Sequence, residues 1–343
     1  FLISAIIVIG CSIPYVIICS SARVRGGNYT MVAMLAGKKL AGAYTILFIF
    51  SNVSIAMYAL SFADYFATLF GMQNIKVIAL ICLTFIYILN IMGIDKMAKF
   101  QNLIVLMMCI ALGLFAAMGV PKIQPGYFDG EVLSNGVKGL LQAGGLLTFA
   151  TGGGSVVANL SAESKNPTRD IPLAIIVSTL LVAVLYGIIS FVAAGVLPVE
   201  EVAGQNLAKV AAVVLSKPLY IFFMVCGAMF ALISTLNAQL GWCPKPIMQA
   251  CDDGWLPEKL AYVHPEYKTP VIILSIFYGI GVICIVSGLS VRILGNLCLV
   301  SGQLAATAIC IFMYRLPEVA PNGWANSKFK VSKPVLIILV IFA

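Results

Sequence analysis

Nine stretches of this chain run for 18 residues or more without a charged side chain: 1–22, 40–63, 77–94, 100–121, 139–162, 171–199, 218–244, 269–291 and 293–314. An α-helix rises about 1.5 Å per residue, so each is long enough, or nearly so, to cross a hydrocarbon core of about 30 Å. A tenth run begins at Pro334 and continues to Ala343. Barrel strands would alternate polar and apolar residues at every second position, and these runs do not. Helices satisfy their backbone hydrogen bonds internally, as lipid demands. The fold class read from the runs is therefore all-α, a polytopic transmembrane helix bundle. Composition agrees: 10% of residues are charged, against about a quarter in a soluble domain.

The net charge of +8 gains meaning from its placement. If the first helix runs from outside to inside, 15 of the 21 Lys and Arg residues fall on the cytoplasmic side and 6 on the outer side. The positive-inside rule favours that orientation. The charge is a topology signal, and no nucleic-acid partner is expected. The lipid bilayer is the expected surrounding, with a multi-pass location in the cell membrane. A chain whose first helix starts outside needs an earlier helix to bring it there, so residues 1–343 read as a truncated piece of a longer protein.

Nine of the ten cysteines lie in or at the ends of apolar runs, Cys251 sits just beyond one, and no CxxC pair occurs. They read as small buried hydrophobes rather than disulfides or metal ligands, so no metal is expected. An enzyme would need acids, His or Cys gathered at one depth. The single histidine, His264, stands in a loop beside Pro265 and there is no HExxH. No catalytic residue is assigned.

Run 139–162 differs from the others because Gly152, Gly153 and Gly154 interrupt it. Each Gly weakens a helix by about 1 kcal/mol relative to Ala, so three together favour local unwinding. Unwound backbone is tolerated in a membrane where it lines a cavity. The carbonyls of Phe149, Ala150 and Thr151 would then end one half-helix with negative dipole, suited to an ammonium or a cation. The N–H groups near Gly154 and Ser155 would open the next half. A close helix–helix contact is the alternative use of small residues.

The segment after this run, Glu163-Ser164-Lys165-Asn166-Pro167-Thr168-Arg169-Asp170-Ile171-Pro172, resembles the E-x-x-N-P-x-R-x-I-P connector of the amino acid–polyamine–organocation permeases. Ser234-Thr235-Leu236-Asn237-Ala238 followed by Asp253-Gly254-Trp255-Leu256-Pro257 resembles that family's eighth helix and its exit, with Lys245 at the usual Arg. Gly26-Gly27-Asn28-Tyr29, Ala36-Gly37 and Gly42 resemble its loop between the second and third helices, with Arg23 at the usual Pro. The resemblance implies a single transporter domain over 1–343 with a five-plus-five inverted repeat. Residues 1–120 would be the remainder of the first repeat and 139–314 the second. It places a gating aromatic at Phe149 and the mid-helix glycine at Gly153. Ser155 stands where the family often has Glu. The helix before Phe1 would supply N–H groups for the substrate carboxylate.

What the resemblance implies is a secondary transporter of amino acids or related amines working by alternating access, with an amino acid sensor or exchanger on the same fold as the alternative. The site is expected at mid-membrane, between the broken helix (Phe149 to Ser155) and the third, eighth and tenth helices. No cofactor is expected beyond a coupling ion, Na+ or H+. The adjacent hydroxyls of Ser234 and Thr235 are the candidate cation site, against the alternative that they bond back to helix carbonyls. Asp64 is either a functional intramembrane acid or an interfacial one. Glu163 caps or pairs with a basic residue, or gates. Lys245 pairs with a cytoplasmic acid or snorkels to the headgroups.

Overall fold

The computed structural model describes residues 2–93, 95–126, 136–202, 204–329, 331–332, 334–335 and 337–338. Among them the regular structure is helical: α1 (Leu2–Ser21), α2 (Asn28–Ala36), α3 (Lys38–Ser51), α4 (Ser54–Phe70), α5 (Ile75–Ile91), α6 (Asp95–Gly119) and α7 (Gly136–Thr151). A 3₁₀ segment, Gly152–Leu160, continues α7. Then come α8 (Pro167–Val196), α9 (Val199–Val202), α10 (Ala208–Val214), α11 (Lys217–Phe222), a π segment (Phe223–Met229), α12 (Phe230–Trp242), α13 (Pro244–Asp252), α14 (Val271–Val286), α15 (Val291–Phe312), α16 (Leu316–Val319) and α17 (Pro321–Asn326). The tenth apolar run lies largely outside the described residues.

Six helical spans are long and apolar enough to cross a membrane, and α5 and α14 are shorter apolar helices. Together these account for eight of the nine charge-free runs. The ninth is the glycine run, which changes ladder at Gly152. The protein is a multi-pass integral membrane helix bundle.

Small and hydroxyl side chains set how the helices meet. α5 and α14 are joined by Tyr87 Oη with Ser275 Oγ at 2.7 Å and Thr84 Oγ1 with Tyr278 Oη at 2.9 Å, beside a stacked Tyr87–Tyr278 pair. Gly281 of α14 lets Leu83 and Ile55 approach where a Cβ would meet them at 2.8 and 3.1 Å. One hydrophobic core joins α1–α5 with α12–α15; a second joins α6, α8, α10 and the π segment, with Phe115 stacked on Phe223.

The second run, 40–63, holds a feature that its hydropathy does not show. α3 and α4 are separated at Asn52 and Val53, where bonds run from Asn52 N to Ile49 O, Ile55 N to Asn52 O and Ala56 N to Val53 O. Three-residue spacing tightens the ladder there, as in a 3₁₀ turn. Asn52 Nδ2 donates to Phe48 O at 2.7 Å and Ser51 Oγ donates to the same carbonyl at 2.8 Å, covering an acceptor at the break.

Candidate functional site

The two helix breaks face one cavity of about 260 Å³. Gly152, Gly153 and Ser155 form one wall, and Asn52 and Ser54 belong to another. Gln239 and Trp242 enter from α12, and Cys298 and Gln303 from α15. α1 supplies Ile7, Val8, Cys11, Ser12 and Tyr15 beside them, and of the residues named for the broken helix Gly152, Gly153 and Ser155 border the cavity, whereas Ala150, Thr151 and Gly154 are not among the lining residues. The volume is near the low end of the roughly 300–1,000 Å³ of drug-sized ligand pockets, which suits a molecule of amino-acid size.

The glycine run behaves differently from simple unwinding. The α ladder ends at Thr151 and a 3₁₀ ladder runs from Gly152 to Leu160. N–H groups that bonded four residues back now bond three back, so the change of pitch skips a carbonyl acceptor near the junction. Phe149, Ala150 and Thr151 are the last residues of α7 before it. The N–H groups around Gly154 and Ser155, expected to be free, are instead inside the 3₁₀ ladder. Tightening keeps backbone donors paired, which hydrocarbon rewards more than open coil. The Phe149 side chain lies outside the described residues. Thr151 is buried, and its hydroxyl is 2.8 Å from Ser4 Oγ, tying α7 to α1.

The three glycines divide the two roles proposed for them. A Cβ at Gly152 or Gly153 would meet nothing within 4 Å, whereas one at Gly154 would lie 2.7 Å from Thr179 Oγ1 and 3.3 Å from Ile175 O. Gly154 is therefore a close contact with α8, and Gly152 and Gly153 leave space in the cavity wall.

Beneath the cavity, on the side assigned to the cytoplasm, Tyr44, Phe48 and Trp242 pack ring to ring at 6.0 Å. A polar layer follows. Asn28 N donates to Asn159 Oδ1 at 3.0 Å, and Tyr29 Oη donates to Asp253 Oδ2 at 2.9 Å. Burial, and then donation to Asp253, raise the Tyr29 phenol above its ordinary range, so it stays a donor. Lys38 Nζ lies 3.7 Å from Asp253 Oδ1, and Arg23 donates to Ala162 O at 3.1 Å. Lys245 pairs with Glu163, so its ammonium is held by a partner and does not reach for headgroups. Gly27 has φ +58°, and a Cβ there would fall 1.9 Å from Asn159 Oδ1. Gly42 lies flat against Trp255, 2.6 Å from its ring by the same measure. The glycine-rich loop is packed against the 3₁₀ segment and the exit of α13. These contacts join the loop after α1, the 3₁₀ segment and α13 on that side.

Glu163 and Lys245 remain 54% and 31% exposed. Exposed pairs contribute about 0–1 kcal/mol, so this one can open without great cost. Glu163→Gln should therefore shift the unfolding midpoint little. It should raise the labelling rate of buried Cys251 by a maleimide severalfold, read by mass spectrometry. Unchanged labelling would mean that the pair does not limit access to Cys251.

Asp64 and the two α12 hydroxyls lie elsewhere. Asp64 is half-buried on α4 and accepts from Asn206 Nδ2 at 2.8 Å, beside Tyr65 Oη, which accepts from Leu207 N. It anchors the outer α9–α10 segment. Ser234 Oγ accepts from Gln101 Nε2, whereas Thr235 Oγ1 donates to Ala231 O at 2.8 Å on an exposed face. Neither is among the residues walling the cavity. Among the described residues no cluster of His, Cys, Asp or Glu is suited to a metal.

Sequence reasoning missed the α3–α4 break and the clamp across it. Gln239 Nε2 donates to Asn52 Oδ1 at 2.9 Å and to Ser54 Oγ at 2.6 Å, and all three residues are buried. The signal was Ser51-Asn52-Val53-Ser54, three polar residues in the middle of an apolar run.

Comparison with known proteins adds a family. The family model described as Amino acid permease matches residues 1–343. The chain is similar to three transporters of Bacillus subtilis (strain 168). It is 28% identical to the methylthioribose transporter over 178 residues, 52% of this chain and 38% of that protein. It is 26% identical to a branched-chain amino acid permease over 189 residues, 55% of this chain and 40% of that protein. It is 27% identical to a serine/threonine exchanger over 261 residues, 73% of this chain and 59% of that protein. The chain thus spans about half the length of the curated relatives it matches.

Proposed function

The chain belongs to the amino acid permease family, and from that premise we propose that it is a secondary transporter carrying amino acids or related amines by alternating access. The observation that carries the reading is the cavity bounded by two helix breaks. Polar backbone at mid-membrane is costly unless it serves a cavity, and here Gly152 and Gly153 open onto one. In this reading the substrate ammonium is held by the carbonyls of Phe149, Ala150 and Thr151 at the end of α7, between Thr148 and Gly152, which border the cavity. Opening toward the cytoplasm requires the layer of Asn28, Tyr29, Asp253, Lys38, Glu163 and Lys245 to part. Its members are hydrogen bonds and exposed ion pairs, which are cheap to exchange for water. In the five-plus-five reading, one helical bundle rocks against the other around this site.

The test is uptake of labelled amino acids by the full-length protein in proteoliposomes. Accumulation above empty liposomes is expected. Acceleration by unlabelled substrate inside would assign exchange, as the name of one relative suggests. Choline in place of sodium, and an imposed pH gradient, assign the coupling ion. Binding without uptake would leave a sensor; neither binding nor uptake of any common amino acid or amine would overturn the reading.

A further inference from the structure

The cavity wall is polar in places. Among the described residues that line it there is no Asp, Glu, Lys, Arg or His. Charged residues nearby are committed to one another in the cytoplasmic layer, Lys245 with Glu163 and Lys38 with Asp253, and none of the four borders the cavity. Opposite the glycine wall stands the amide–hydroxyl cluster of Gln239, Asn52 and Ser54, between 1% and 5% exposed. Both Gln239 amide bonds run into that cluster, to Asn52 Oδ1 and Ser54 Oγ. What Gln239 keeps for a ligand is its carbonyl oxygen, an acceptor.

We infer that the cavity selects amino acids with uncharged side chains, favours those whose side chain can donate a hydrogen bond, and rejects those with a charged side chain. This rests on the transporter reading above. Every amino acid brings the same ammonium and carboxylate, so those two groups do not discriminate among side chains. A third charge on the side chain would leave water for a wall that offers it no counter-ion. An unpaired buried charge costs several kcal/mol, more than the contacts of a few methylene groups return. A hydroxyl or carboxamide loses nothing it cannot recover at the Gln239 carbonyl.

The experiment is a thermal-unfolding series on the full-length protein in detergent, titrated singly with serine, threonine, glutamine, leucine, lysine, arginine, aspartate and glutamate. A ligand that binds only the folded state raises the midpoint, and more so the further its concentration exceeds its Kd. The neutral amino acids, hydroxyl- and amide-bearing ones first, should act at concentrations at least tenfold below any charged one. A charged amino acid acting within tenfold of the best neutral one overturns the inference and leaves the transporter reading standing. No response to any amino acid, together with no uptake, overturns both. A second arm uses Gln303→Glu, which adds a carboxylate to the α15 wall. Lysine or arginine should then bind at least tenfold more tightly than to the unmodified protein. If this variant unfolds with a normal midpoint yet gains no response to either, the wall charge does not set the selectivity and the inference fails.

Discussion

A Gly27→Ala protein will unfold at a markedly lower temperature than the unmodified chain and, if the proposed transporter reading holds, will lose most of its uptake. Two costs combine. At φ +58° and ψ −130° the backbone sits where an L side chain is strained, by about 1–3 kcal/mol. The new methyl would also lie 1.9 Å from Asn159 Oδ1 and 2.5 Å from Asn159 Cα, and forcing atoms into a packed site costs about 1–3 kcal/mol more. The contact pushed apart is the one by which Asn28 N holds the 3₁₀ segment. Gly37→Ala is the internal control: its φ is +93°, but a Cβ would meet nothing within 4 Å. It should show the backbone cost alone. Equal midpoints for the two variants would mean that the loop does not press on Asn159.

The second large effect separates the glycines of the broken helix. Gly153→Leu should abolish amino acid binding while leaving the unfolding midpoint of the ligand-free protein nearly unchanged, because its side chain enters open space. Gly154→Ala should do the reverse. Its methyl would meet Thr179 and the Ile175 carbonyl, lowering stability by about 1–3 kcal/mol, with binding lost only as far as the fold is lost. Titration calorimetry beside a melting curve on each variant reads both quantities. Near-normal binding by Gly153→Leu would move the site away from this cavity.

Much of this was legible in the sequence because a membrane simplifies the problem. Charge-free length alone located eight spans, and three consecutive glycines marked the ninth as different. The break fell at Thr151–Gly152, beside the residues named for it. The form of the break was not legible. Glycine permits both coil and 3₁₀ geometry, and only the packing of Gly154 on α8 favours the tighter one. Lys245 and Glu163 stand 82 positions apart, and hydropathy carries no information about which charges meet. The Asn52–Val53 break hid in a run whose average is strongly apolar. Its polar residues become meaningful only when Gln239, far along the chain, is seen to hold them.

The interrupted spans have a mechanical consequence. α3 has 14 residues and α7 has 16, so each is about 21–24 Å long, less than the roughly 30 Å of a hydrocarbon core. Neither rod reaches across alone. α3 is moored by Lys38 at one water boundary, and α4 is tied by Asp64 to the outer segment. Each half thus answers to its own leaflet, and the joint between them at Asn52 carries whatever difference the two leaflets impose. Bilayer thickness is therefore a load applied at the cavity itself, borne by a few side-chain hydrogen bonds rather than by an unbroken helix.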